Sequence, residues 1–289
     1  MGMMTLMRTF SMEDEEKTLL SEELFNANDQ SVKLRRIEGQ SVIETRREYH
    51  QNGNIILEIS LQDNEEHERV ENRYDEADRV ISEHFYISGE LYQEIYHRYS
   101  SNGFERMTME EGIETEKLVK LVDGKNYVNE FYQDQELAER HVYQYNSSEH
   151  FGELIIRDEE GEQYFRVESW YDKNDQLIAE KEYNAEDILM VETTNEYDGK
   201  LLRTQAIKDF TNGADIKINS FEYDEAQRIT KTESRDEEGN LHEFHLRQYN
   251  SEGRLVEERG FATGSFNAIY GTQVDGKNFH LVHEYSKWE

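Results

Sequence analysis

The residues best suited to chemistry in this sequence are histidines that recur three positions apart. His242 and His245 form one such pair, and His280 and His283 form another. On a helix, this spacing would let two imidazoles bind one metal ion. On a β-strand, residues three apart point to opposite faces, so neither pair would chelate. Because the HExxH motif of zinc hydrolases is also missing, we predict no metal site and interpret these histidines as surface or cross-strand residues.

Carboxylates are the other candidates, since Asp and Glu together number 64. The acidic stretches at residues 158–161 and 172–175 could offer oxygen ligands to calcium, but neither matches the D-x-[DN]-x-[DN]-G loop. Paired carboxylates could also hydrolyse glycosides, but so many acids create chance pairs throughout the chain. The sequence contains no nucleophile elbow, phosphate-binding glycine loop or kinase motif. We therefore predict that the protein is not an enzyme and needs no cofactor.

The elements that must position these side chains are set by a short internal repeat. Its unit is an aromatic residue, Asp or Asn, two residues, a turn residue such as Gly, one residue, and Leu or Ile. Clear copies start at Tyr171, Tyr223 and Tyr249, and the unit returns about every 13 residues. Asn-Gly and Asp-Gly steps between alternating segments predict tight hairpins. The predicted turns lie at Gly39, Gly53, Asn64, Ala77, Gly89, Gly103, Gly112, Gly124, Glu136, Glu149, Gly161, Asp175, Glu186, Gly199, Gly213, Ala226, Gly239, Gly253, Gly264 and Gly276.

These hairpins predict an all-β fold. We expect an extended, twisted antiparallel meander sheet of about 20 strands, each about nine residues long. Simple alternation places Leu91, Ile95 and Tyr99 on one face of a strand, and aromatic and aliphatic residues should form ladders from strand to strand. The alternative is a five-bladed β-propeller, because four strands of about 13 residues would make one blade.

Residues 11–26 predict the one helix of the chain. Ser11 could cap it, and the acidic run from Glu13 to Glu16 would occupy its positive first turn. A partial apolar stripe would follow, made of Met12, Leu19, Leu20 and Phe25. Such a helix would cover the first edge of the sheet, and the alternative is a frayed tail.

We divide the chain into an N-terminal segment at residues 1–30, a repeat array at 31–260 and a C-terminal segment at 261–289. The last segment has few acidic residues and several Gly, which favours an atypical capping repeat. The apolar stretch at residues 1–10 is too short for a signal peptide, and no run approaches the roughly 18 apolar residues of a membrane span. The expected location is therefore the cytoplasm.

The composition favours a thin, charged sheet over a compact globule. Hydrophobic residues make up 35% of the chain and aromatic residues 11%, and Cys and Pro are absent. The formal net charge is −32, whereas nucleic-acid-binding proteins normally present a basic face. We therefore predict no direct contact with nucleic acid or membrane, and a basic protein partner attracted by long-range electrostatics.

Individual copies of the repeat resemble known repeat families. The stretches YNSEGRL at residues 249–255 and YDKNDQL at 171–177 resemble the YD repeats of RHS-type proteins. The stretch YHQNGNI at residues 49–55 is similar to the MORN-variant repeats of some bacterial antitoxin proteins. The first resemblance implies hairpins that build a spiralling sheet able to enclose a toxin. The second implies neutralisation of a toxin encoded nearby.

Together these features predict a non-enzymatic protein-binding repeat protein. The expected role is that of an immunity or antitoxin-like protein, or of an effector chaperone, that sequesters a basic toxin through its acidic sheet surface. The alternative is a carbohydrate-binding surface module, in which Trp170 and Trp288 would stack on sugar rings. Because every repeat offers similar side chains, the sequence nominates no individual partner-binding residue.

Overall fold

The computed structural model describes residues 4–13, 16–211, 213, 215–261, 266–267, 272–273 and 278–288, and every regular element in these ranges is a β-strand. In chain order the strands are β1 Met4–Glu13, β2 Glu16–Phe25, β3 Ser31–Glu38, β4 Ser41–Tyr49, β5 Ile55–Gln62, β6 Glu65–Tyr74, β7 Val80–Ile87, β8 Glu90–Ser100, β9 Gly103–Glu110, β10 Ile113–Asp123, β11 Asn126–Gln133, β12 Glu136–Asn146, β13 Phe151–Asp158, β14 Gln163–Tyr171, β15 Leu177–Asn184, β16 Leu189–Asp198, β17 Leu201–Asp209, β18 Asp215–Tyr223, β19 Ile229–Asp236, β20 Leu241–Tyr249, β21 Leu255–Phe261, β22 Phe266–Asn267, β23 Thr272–Gln273 and β24 Asn278–Trp288.

The strands fall into two compact units, and successive strands pair antiparallel within each. The first unit is formed mainly by Met1–Lys120 and Leu281–Glu289. In it, β1 to β9 pair in order, and β1 also pairs with β24. The second unit is formed mainly by Leu137–His280, and in it β12 to β21 pair in order. The prediction of an antiparallel meander is therefore confirmed.

Two features of the predicted sheet are corrected by these pairings. The pairing of β1 with β24 places Met4 opposite Trp288 and Ser11 opposite Leu281, which contradicts an open sheet. The hydrogen bonds of this pair satisfy a strand edge that would otherwise be free to recruit other chains. The propeller alternative receives no support, because 22 strands belong to one sheet and β12 to β21 pair without the breaks that separate blades.

The predicted N-terminal helix at residues 11–26 is wrong, because this segment forms the end of β1 and the whole of β2. Glu13 lies opposite Glu16, and Leu6 lies opposite Leu24. The acidic run interpreted as a first helical turn instead marks the reversal of a hairpin; Asp14 and Glu15 within it lie outside the described residues. Pairing of β1 and β2 with their outer neighbours β24 and β3 outweighs the local helical preference.

The Asp or Asn of the repeat closes the turn in the clearest copies of the motif. Asp224 Oδ1 accepts hydrogen bonds from the backbone nitrogens of Ala226 and Arg228, both at 2.9 Å. Gln227, between them, has a φ of 62°, which Gly, Asn and Asp adopt most easily. This side-chain turn therefore explains why Asp or Asn stands three residues before Gly or another turn residue. The same pair of bonds forms at Asp75, Asp158, Asp172, Asn184 and Asn250.

The tyrosine of the repeat ties its strand to the start of an earlier strand. The Tyr223 hydroxyl donates to the Leu202 carbonyl at 2.9 Å, and the Tyr249 hydroxyl donates to the Ile229 carbonyl at 2.9 Å. Buried backbone carbonyls need such donors. These tyrosines thus act through their hydroxyl groups. The same contact is made by Tyr49, Tyr74 and Tyr197.

Most predicted turn positions are confirmed, with small shifts. Where no Gly is present, the residue with positive φ stands next to the predicted one, as at Asp78, Asp187 and Gln227. Gly264 and Gly276 lie outside the described residues. The segment boundaries at residues 30 and 260 stay predictions. Among the described residues, none belongs to a helix with the length and apolar character needed to cross a membrane.

The face assigned to Leu91 is wrong, because a β-bulge interrupts the alternation of β8. Leu91 lies opposite Tyr86, whereas Gln93 lies opposite Phe85, so Tyr92 is an extra residue. Glu94 lies opposite His84, on the same face of β7 as Tyr86. Leu91 therefore shares a face with Glu94 rather than with Ile95, since an extra residue reverses the side-chain alternation.

Candidate functional site: an acidic groove in the second unit

One face of β16 to β20 carries a continuous row of polar side chains. We call it the tyrosine face, because the repeat tyrosines of these strands lie on it. Asn195 lies opposite Gln205, Gln205 opposite Asn219, Asn219 opposite Ser234, and Ser234 opposite Glu243. Residues that face each other across neighbouring strands are close enough to interact. The row therefore brings together five polar side chains that are distant in sequence.

Hydrogen bonds run along this row as far as Asn219 and do not reach Ser234. Gln205 Nε2 donates to Asn195 Oδ1 at 3.2 Å, and Asn219 Nδ2 donates to Gln205 Oε1 at 3.2 Å. Ser234 is only 5% exposed, and its hydroxyl has no hydrogen-bond partner within the described part of the chain. A buried hydroxyl without a partner destabilises the fold. Ser234 is thus a position where a polar group of a ligand would be stabilising.

A groove of about 790 Å³ opens beside Ser234. This volume lies within the range of about 300–1,000 Å³ that is usual for ligand sites. Carboxylates dominate its wall, since Lys217, Arg235 and His242 are the basic side chains among its described lining residues. The acidic lining residues are Asp209, Asp215, Asp236, Glu237, Glu238 and Glu243.

Negative charge is crowded at the end of the tyrosine face that borders the groove. Burial raises the pKa of Glu182, and the nearby carboxylates of Glu180 and Asp209 raise it further. Asp209 lines the groove, and its own pKa is lowered by hydrogen bonds from Thr211. A positive charge entering the groove would relieve this repulsion, because like charges disfavour each other's ionised forms.

The basic residue Arg235 is already engaged away from the groove acids. Its Nη1 donates to the Gly239 carbonyl at 2.9 Å, and its Nη2 lies 3.4 Å from Glu233 Oε2. Asp215 and Glu237 make no ion pair within the residues that the structure describes. Their carboxylates are therefore available to a cationic ligand.

A buried charge cluster adjoins the groove through Glu243. Glu258 is fully buried, and its Oε1 accepts a hydrogen bond from Arg247 Nε at 2.8 Å and lies 3.3 Å from His245 Nδ1. His245 Nε2 lies 3.0 Å from Glu243 Oε1. The contact with Glu258 raises the pKa of His245, although burial opposes this. Burial favours the neutral acid at Glu258, but His245 and Arg247 outweigh it, so the pKa of Glu258 is lowered.

The structure separates the histidines of each sequence pair. His242 Nε2 lies 3.2 Å from Asp236 Oδ2, whereas His245 contacts Glu243 and Glu258. His280 Nε2 lies 2.7 Å from Glu257, and His283, which is buried, lies 3.0 Å from the Thr9 hydroxyl across β1 and β24. No group of three or more potential metal ligands occurs among the described residues.

The other residues considered from the sequence serve the sheet. Asp158 and Asp172 direct their Oδ1 atoms at backbone nitrogens of their own turns, as described above. The Trp170 ring packs 5.4 Å from the Phe151 ring, and Trp288 is half-exposed on β24. None of the residues that form the polar row was identified from the sequence, because the row depends on strand register.

Comparisons with known proteins do not identify a family. No protein-family model and no curated protein matches this chain. Among solved structures, a porin-like protein from Bacteroides uniformis is similar, with a TM-score of 0.31, 8% sequence identity, and coverage of 98% of this chain and 96% of that chain. This TM-score is too low to indicate a shared fold, and nothing about this chain's function is inferred from it.

Proposed function

We propose that this chain is a non-enzymatic binding protein whose acidic groove receives a cationic segment of a protein partner. The observation that carries the proposal is the groove wall, whose described residues supply six carboxylates against two permanently charged basic side chains. The Ser234 hydroxyl adds an acceptor for an ammonium or guanidinium group. Charge-assisted hydrogen bonds to carboxylates are the strong contacts that such a ligand would form.

The net charge of −32 supports the same class of partner. A field of this sign accelerates encounter with basic proteins and opposes encounter with nucleic acids. Within this class we favour an immunity or antitoxin-like role in the cytoplasm, and an effector chaperone as the second choice. The carboxylates would cover the surface on which a basic toxin binds its own anionic substrate. The YD-like and MORN-like repeats support this choice by resemblance alone.

Two turns of identical sequence provide a matched test of the groove. Residues 236–239 and 158–161 both read Asp-Glu-Glu-Gly, and the turn glycines have φ values of 85° and 84°. Only the first turn lines the groove. Glu237→Gln with Glu238→Gln therefore removes two groove charges, and Glu159→Gln with Glu160→Gln removes two equivalent charges elsewhere.

The experiment first isolates the partner by co-purification. The protein is purified from its native cell at low salt and again at about 0.5 M salt, where screening shortens electrostatic interactions to a few ångström. We expect a stoichiometric basic protein at low salt that is lost at high salt. Calorimetry should then show roughly tenfold weaker binding for the groove variant, and an unchanged affinity for the control variant. Equal affinities of the two variants, or the absence of any co-purifying protein, would refute the proposal.

A further inference from the structure

An apolar patch is exposed on the first unit, at the end of β7 and the starts of β8 and β10. Ile87 is 42% exposed, Leu91 49%, Tyr92 54% and Ile113 64%, and all four line one groove of about 720 Å³. Large apolar side chains that are exposed singly are common, but a group of them around one groove indicates an interaction site. These four side chains, which we call the apolar patch, therefore need an explanation beyond chance exposure.

The neighbouring hairpin shows that the fold does not require apolar residues here. In the hairpin of β7 and β8, Ile87 lies opposite Glu90, Tyr86 lies opposite Leu91, and the bulge falls at the next position. The hairpin of β5 and β6 has the same register and the same bulge. The positions equivalent to Ile87, Leu91 and Tyr92 are occupied there by Gln62, Glu66 and His67.

Acidic side chains surround the apolar patch. Glu90, Glu110, Glu111 and Asp134 line the same groove, and no Lys or Arg occurs among the lining residues that the structure describes. An apolar centre with a charged rim is the arrangement of a protein-binding hot spot. An apolar anchor flanked by Lys or Arg would match both the centre and the rim.

We infer that the apolar patch docks a basic segment of the protein partner that carries at least one apolar anchor side chain. The inference rests on the proposed function, since it assigns a second contact to the same cationic partner. The charge complementarity between the acidic rim and a basic segment identifies the occupant. A second copy of this chain would bring its own acidic rim against this one and be repelled at low salt.

The test uses two synthetic peptides of equal charge. One alternates Lys with Leu, and the other carries Ser in place of each Leu. Calorimetry at about 0.5 M salt compares their affinities for the full-length protein, because screening then leaves mainly the short-range contacts. We expect the Leu peptide to bind roughly 30-fold more tightly, which is the contribution of one hot-spot residue.

The protein variant for this test copies three residues of the neighbouring β5–β6 hairpin. Ile87→Gln, Leu91→Glu and Tyr92→His install the residues that the β5–β6 hairpin already carries, so the strands should still pair. We expect this variant to bind the two peptides with affinities within about threefold of each other. Because Leu91→Glu adds negative charge, electrostatics alone would strengthen binding of both cationic peptides. Should the triple variant fail to fold by circular dichroism, the single change Tyr92→His keeps the same readout.

The possible outcomes separate this inference from the proposed function. Equal affinities of the two peptides for the wild type, or a preference that persists in the variant, would overturn the apolar docking site. Failure of both peptides to bind at low salt would overturn the proposed function itself. A wild-type dimer in sedimentation at high salt that the variant abolishes would show that the occupant is a second copy, and would overturn the assignment to a partner.

Discussion

Replacing Glu258 by Ala should destabilise the protein by about 3–5 kcal/mol, because it leaves two partly buried basic groups without their shared, fully buried partner. The Glu258 side chain is 1% exposed, and those of Arg247 and His245 are each 16% exposed. Solvent therefore replaces little of the lost interaction. A loss of this size is a large fraction of the 5–15 kcal/mol that stabilises a typical domain.

The pH dependence of this effect follows from the two shifted pKa values. The pKa of His245 is raised above its ordinary value of 6.5, so its contribution is complete below pH 6.5 and is lost as the pH rises through the raised value. The pKa of Glu258 is lowered below its ordinary value of 4.5, so its contribution is complete above pH 4.5 and is lost as the pH falls through the lowered value. The difference between wild type and variant should therefore be largest between these two ordinary values.

Urea denaturation followed by circular dichroism at several pH values measures this difference directly. Glu258→Gln serves as the control, because it keeps the side-chain volume and an oxygen acceptor but removes the charge. We expect it to lose less stability than Glu258→Ala. The reasoning would be refuted by a loss below about 1 kcal/mol for Glu258→Ala near pH 6, or by a difference that stays constant as the pH is raised through the titration of His245.

Two further substitutions test the contacts that build the repeat. Tyr74→Phe removes the hydrogen bond from the Tyr74 hydroxyl to the Ile55 carbonyl, 2.7 Å away, and should cost about 1 kcal/mol in thermal or urea unfolding; Tyr92→Phe, at an exposed ring, should change stability by less than about 0.5 kcal/mol. Gly152→Ala would place a methyl group against the ring of Tyr143 on the neighbouring strand. This clash should lower the free energy of unfolding by about 1–3 kcal/mol. Adding Tyr143→Leu should recover part of the lost stability, and no recovery would show that the strain lies elsewhere.

The turns and the strand order could be predicted because their chemistry is local. Asp224 binds backbone nitrogens only two and four residues away, so the motif itself contains the whole interaction. The N-terminal segment shows the opposite case. There the acidic residues and Ser11 fit a helix locally, and the pairing of β1 with β24 and of β2 with β1 and β3 makes strands preferable.

The candidate groove could not be predicted because it depends on strand register. The register shifts by one residue beside many of the repeat turns, as between Glu222 and Tyr223 and between Gln248 and Tyr249. Each shift decides which face the following side chains occupy. Counting along the sequence therefore misplaced Leu91 and gave no indication that Asn219 and Ser234 face each other.

The internal repeat allows fold and function to be separated within one chain. The longer repeat turns need the acceptor and the positive-φ residue, so Asp224 and Asp158 are explained by the fold. Positions that differ between hairpins of the same register have no such explanation. Leu91 differs from its equivalent Glu66 while the strand pairing around both is the same. A side chain that its own neighbouring repeat replaces without changing the pairing is not required by the sheet, and this is the reason to look for a partner at the apolar patch.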